Sequence, residues 1–164
     1  MDAENNVWVA DSSNCRVREF NEKGEFIRAF GSSGSGNGQV KQPYALVTDA
    51  NGNVWVADTG NNRVEEFSPT GTYLSQFGTQ GAAEGQLAEP KGISIDAEGH
   101  VWVADTGNAR VVEFTPAGGF LTQFGWSGSS PGEFATPWGL ATAHGTELVI
   151  VDRGNNRIQR WGVA

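Results

Sequence analysis

The chain has 164 residues, 38% of them hydrophobic, with 23 Gly and 6 Pro, a composition of short strands and frequent turns rather than helices. Its 19 acidic and 11 basic residues give a formal net charge of −8, which repels a phosphate backbone, and no local basic patch offsets it. One cysteine, Cys15, excludes an intrachain disulfide and a multi-cysteine zinc site, and no apolar run reaches the length of a membrane-spanning helix. Neither nucleic acid nor a membrane is therefore expected as a partner. Residues 1–10 show no charged region followed by an apolar one, and the compartment stays open.

In chain order, the motif Val-Trp-Val-Ala-Asp at 7–11 recurs at 54–58 and 101–105, and Leu-Val-Ile-Val-Asp stands at 148–152, a step of 47 residues each time. Arg16, Arg63, Arg110 and Arg157 keep that step, as do Phe30-Gly31, Phe77-Gly78 and Phe124-Gly125, and Pro43, Pro90 and Pro137. No insertion interrupts the register, so the repeat organises the whole chain.

One complete unit, residues 90–136, reads as four strands. Residues 90–96 alternate Ile93 and Ile95 (strand a). The apolar run 101–104 suits a strand covered on both faces (strand b). A polar turn, 105–110, leads into strand c at 110–114, and strand d follows at 119–125. Four short antiparallel strands per unit predict an all-β fold, a β-propeller segment whose blades stack face to face. A linear β-solenoid would show a shorter repeat. The expected strand order is b-c-d, a-b-c-d, a-b-c-d, a-b-c, in blades at about 1–42, 43–89, 90–136 and 137–164.

Asp2 aligns with Asp49 and Asp96, and Ala164 aligns with Ala117, so the first and last blades are each expected to lack one strand. That register reads as a propeller fragment with an exposed apolar face at each end. Association into a homo-oligomer is expected, a dimer in preference to a closed four-bladed monomer.

Val-Trp-Val-Ala-Asp-Thr-Gly-Asn-Asn-Arg-Val (54–64), together with Pro-Lys-Gly-Ile (90–93) and the Phe-Gly pairs, resembles the NHL-repeat family. The resemblance covers essentially the whole chain and includes bacterial and sensor-type propellers. It implies the propeller fold, but it implies no single activity, because the family holds protein-binding and RNA-binding domains, sensor domains and a few enzymes such as the peptide-amidating lyase. Streptogramin lyases are a related propeller group.

The turn Asp-x-x-Asn-x-Arg recurs as Asp11/Asn14/Arg16, Asp58/Asn61/Arg63, Asp105/Asn108/Arg110 and Asp152/Asn155/Arg157. Asp and Asn close turns by accepting backbone N–H groups, the intervening Gly is expected to take positive φ, and the Arg pairs with a carboxylate. One Asp per blade beside an Arg is a poor calcium site. Trp8, Trp55 and Trp102 are expected to pack between blades with each indole N–H bonded. His100 and His144 fall at non-equivalent points of the a–b turns and do not meet the zinc pattern of the amidating lyase. No serine or cysteine sits in a catalytic arrangement, and the loop 31–38 lacks the ending of a phosphate loop. No cofactor or metal is expected, and the chain reads as a non-enzyme.

Candidate ligand contacts lie where the copies differ. Tyr44, Lys91 and Trp138 occupy one repeat position at the start of strand a, near the mouth of the central channel. Trp126 and Arg153 also break the repeat, and both are assigned to the same face. These aromatics and cations suit a peptide or glycan contact surface. The expected function is an interaction scaffold; the competing reading is a piece of a propeller lyase or hydrolase whose site needs a complete ring.

Overall fold

The computed structural model describes residues 1–143 and 147–162. His144 and Ala164, both used in the sequence reading, lie outside the described residues. Fourteen strands form four separate antiparallel sheets. The first is β1 (Val7–Asp11), β2 (Arg16–Phe20) and β3 (Phe26–Phe30); the second is β4 (Pro43–Thr48), β5 (Val54–Asp58), β6 (Arg63–Phe67) and β7 (Tyr73–Phe77). The third is β8 (Pro90–Ile95), β9 (Val101–Asp105), β10 (Arg110–Phe114) and β11 (Phe120–Phe124); the fourth is β12 (Pro137–Ala143), β13 (Glu147–Asp152) and β14 (Arg157–Gly162). Every sheet is a meander of sequential neighbours in the predicted strand order. Propeller blades are built this way.

The core lies between sheets. Strand β9 is buried along its whole length, with Val101, Val103 and Ala104 at 0% exposure. Trp55, Leu87, Ile93, Val101, Val112 and Phe114 belong to the cluster between the second and third sheets. Aromatic pairs tie each strand d to the next blade: Phe30 to Phe67 at 5.0 Å, Phe77 to Phe114 at 4.6 Å, and Phe124 to Trp161 at 4.2 Å between ring centroids. Contacts at these separations add to the burial of about 25 cal/mol per Å² that drives stacking.

The outward faces of the first and fourth sheets are different. Val7 and Val9 are 39% and 40% exposed, whereas their repeat equivalents Val54 and Val56 are at 0%. Val151 and Ile158 are 41% and 66% exposed, against 0% for Ala104 and Val111. The chain therefore does not close on itself as a four-bladed ring.

Each b–c turn is one 3-10 turn followed by a left-handed residue, Cys15, Asn62, Ala109 or Asn156, with φ between 51° and 56°. This corrects the expectation for the turn glycine. Gly60 and Gly107 are needed for a close approach instead: an added Cβ would lie 2.7 Å from the Lys41 carbonyl oxygen and 2.9 Å from that of Ala88. Both amides donate to those same carbonyls at 2.8 Å. In the first blade the same position holds Ser13.

Candidate recognition surface at the channel mouth

Antiparallel pairing sets Pro43 opposite Asp58 and Pro90 opposite Asp105, so the starts of the innermost strands and the b–c turns share one rim. The d–a loops reach the same rim. Loop and turn are locked by one repeated device. Asp58, at 0% exposure, accepts the Lys41 amide on Oδ1 at 2.6 Å and the Asn61 amide and Arg63 Nε on Oδ2, each at 2.8 Å. Arg63 then donates to the carbonyls of Ser35, Gly36 and Gln39 in the preceding loop, at 3.0, 3.0 and 2.6 Å. Arg110 grips Ala82, Ala83 and Gln86, and Arg157 grips Ser129, Ser130 and Glu133, in the same way. The ion pairs themselves measure 2.8 Å for Asp11–Arg16, 2.8 Å for Asp58–Arg63, 2.7 Å for Asp105–Arg110 and 3.0 Å for Asp152–Arg157. Arg16 alone reaches no loop carbonyl among the described residues, and its side chain is 41% exposed.

Burial opposes ionisation of Asp152, but the Asn155 side chain, the amides of Thr136 and Ala135 and the Arg157 guanidinium outweigh it and hold the carboxyl below its ordinary range. These groups bind the loop rather than a ligand. A hydroxyl adds to the lock: Thr59 and Thr106 donate to the carbonyls of Pro90 and Pro137 at 2.5 and 2.6 Å, and Ser12 donates to that of Pro43.

Tyr44, Lys91 and Trp138 each stand second in an innermost strand, and the structure brings them into one cluster. The Tyr44 and Trp138 rings meet edge to face at 5.6 Å, and Lys91 Nζ lies 5.5 Å from the first and 4.4 Å from the second. Arg153, standing where Thr59 and Thr106 stand in the inner blades, places its guanidinium 4.3 Å from the Trp138 ring. The strands come this close because Gly92 has no Cβ, which would lie 2.6 Å from the Trp138 carbonyl oxygen. Cation–π contacts of this kind contribute about 0.5–2 kcal/mol each, more as they are desolvated.

Beside the cluster runs a groove of about 520 Å³ lined by Lys41, Tyr44, Asn62, Glu89 and Lys91. Glu89 pairs with Lys91 at 3.7 Å, and Gln42 and Glu89 both hold φ of 48°, an uncommon backbone state at the groove wall. Trp126 is not part of this group. It is 61% exposed, its indole donates to Glu133 at 3.2 Å, and no cation–π or aromatic contact of the cluster includes it. The Ser130 amide, with that indole, keeps the Glu133 carboxyl below its ordinary range.

Sequence reasoning passed over Glu65, and it weighed His100 for zinc without the acids that stand beside it. Glu65 departs from Arg18, Val112 and Gln159 at its repeat position and is at 0% exposure. Its Oε1 accepts the Gly38 amide at 3.2 Å and faces Arg63 at 3.1 Å, while Oε2 meets no donor. Burial pushes this carboxyl up to about 7 against the pull of Arg63. At the opposite rim, Asp96, His100 and Glu113 converge, with one ligand atom of each within 4.8 Å of the others. The break from Asn6 and Asn53 to His100 was the available signal.

The stacked antiparallel sheets of three or four strands and their variable rim define a β-propeller segment. The NHL repeat model matches residues 41–67 and 87–114, in the second and third units. Among solved structures, a Bacteroides thetaiotaomicron protein of unknown function superposes with a TM-score of 0.81 at 18% identity, over 98% of this chain and 45% of that one. A chain of a nidogen/laminin complex gives 0.74 at 20% identity, over 97% and 56%, and a streptogramin B lyase gives 0.71 at 15%, over 99% and 52%. The chain thus spans about half the length of these structures, and identities this low establish the fold alone. No curated protein matches the sequence.

Proposed function

We propose that the chain is a non-enzymatic interaction scaffold that binds a peptide or glycan at the Tyr44–Lys91–Trp138–Arg153 cluster. The observation that carries this reading is convergence. Three unlike residues at one repeat position, joined by a fourth departure from the repeat, meet on a single rim. Conserving the blade requires none of them. Tyr44 remains 44% exposed, so an apolar or sugar face can stack on it while Lys91 and Arg153 direct polar groups.

Peptide and glycan libraries screened against the native chain and against the combined Tyr44→Ala, Lys91→Ala, Trp138→Ala variant test the site. Loss of the bound class in the variant is expected; unchanged binding of every hit would refute it. A propeller lyase or hydrolase is the competing reading, supported by the fold shared with streptogramin B lyase. Turnover by the purified chain of a substrate captured in the screen would favour it.

Self-association is the second part of the proposal. The outward faces of the first and fourth sheets carry the apolar positions that meet at every inner junction, so a second copy can cover Val7 and Val9 with its Val151 and Ile158. Light scattering at micromolar concentration is expected to give more than one chain, reduced by Ile158→Lys. A single-chain mass for the native protein overturns this part.

A further inference from the structure

We propose that Asp96, His100 and Glu113 form a binding site for a borderline divalent cation such as Zn²⁺, at the rim opposite the recognition cluster. The site is built from three elements. Asp96 follows β8, and its Oδ1 is fixed by the amides of Glu98 at 3.1 Å and His100 at 2.8 Å. That turn sets His100 four residues on, just before β9, with Nδ1 3.6 Å from Asp96 Oδ2. Glu113, on β10 opposite Trp102, brings Oε1 to 3.0 Å from the same nitrogen. Tetrahedral zinc, with ligands at about 2.0–2.2 Å, sets its donors roughly 3.4 Å apart, so these separations bracket what the ion requires. The remaining positions are open to water, because His100 is 34% exposed and Glu113 14%.

The other three blades show what this position does without a metal. In the first, Asn6 donates to Glu19 at 3.0 Å and Arg28 pairs with its second oxygen at 2.7 Å. In the second, Asn53 donates to Asp49 and Glu66, each at 3.1 Å, and Ser75 satisfies the second Glu66 oxygen at 2.8 Å. In the fourth, Arg160 and Glu147 pair at 2.6 Å. Glu66 has a partner on each oxygen, whereas Glu19 Oε2 meets the Arg28 cation without a hydrogen bond. At the repeat position of Asn6 and Asn53 the third blade alone carries an imidazole, and Glu113 Oε2 meets no donor or cation among the described residues. Asp96 Oδ2 already accepts the Trp102 indole at 2.9 Å, which fixes the carboxylate while leaving a lone pair for an ion. Imidazole with two carboxylates suits zinc and its neighbours rather than calcium, which favours oxygen-only ligands.

Titration calorimetry of the full chain with ZnCl₂ at pH 7.5 is the test, read beside the metal-dependent rise in melting temperature. One bound equivalent is expected. His100→Asn installs the residue that the first two blades carry, so it should match the native melting temperature in EDTA while weakening zinc binding about tenfold or more. Glu113→Gln should weaken it as well, and Cys15→Ser should leave it unchanged. The site is overturned if the native chain binds no zinc, if His100→Asn binds it equally well, or if Cys15→Ser is the substitution that abolishes binding.

Discussion

Replacing Glu65 by Gln is expected to stabilise the protein above neutral pH and to have little effect in acid. The carboxyl titrates at about 7 in the fold and at its ordinary 4.5 in the unfolded chain. Between those values the native state keeps a proton that the unfolded chain has released, so stability falls as pH rises through the window. Complete passage corresponds to ~3 kcal/mol, and solvent screening does not reduce it because the residue is at 0% exposure. The attraction of Arg63 is already contained in that figure. Glutamine carries no charge at any pH, and the repeat shows that it fits: Gln159, at the same position, accepts the Gly132 amide at 3.1 Å and donates to the Glu133 carbonyl at 2.8 Å. Urea denaturation followed by tryptophan fluorescence from pH 4.5 to 8.5 measures the difference between native chain and variant. The gain should grow by about 3 kcal/mol across the range. A difference independent of pH, or a variant less stable at pH 8.5 than at pH 4.5 relative to the native chain, refutes the reasoning.

The repeat supplies its own control for the arginine lock. Arg110→Ala strands Asp105, at 0% exposure, without its cation and should cost about 3–5 kcal/mol in urea denaturation, whereas Arg16→Ala, which reaches no loop, should cost a small fraction of that. Gly92→Ala forces a Cβ against the Trp138 carbonyl oxygen and should lower stability by about 1–3 kcal/mol in thermal melts. The same substitution should weaken any ligand held by Tyr44 and Trp138, because it separates the strands that present them.

The blade array was legible because a 47-residue period repeats strand patterns and turn chemistry together, and no insertion blurs them. The cluster was legible in part. Tyr44, Lys91 and Trp138 share a register position, and β4, β8 and β12 converge. Trp126 shares only a face, and its loop holds it apart with Glu133. What Arg63 and Arg110 do was half visible: the paired Asp has a letter in the sequence, but the loop carbonyls they grip are backbone and leave none. The turn glycines were misread for a related reason. Glycine marks both a positive φ and a tight contact, and only the position of Lys41 and Ala88 decides between them. His100 was hidden by distance, since its partners lie on separate strands and the comparison that exposes it is with Asn6 and Asn53.

The arginine lock also gives the array a direction. Arg63, Arg110 and Arg157 each reach back to the loop that precedes their own blade, so such a blade depends on its predecessor's loop in a way that the predecessor does not reciprocate. Losing a loop residue therefore disarms the lock of the blade that follows. Loops of this kind cannot drift freely in length or course, although they look like spare glycine and serine. Room for diversification is left instead at the second residue of each innermost strand, where a side chain can change identity without disturbing any latch.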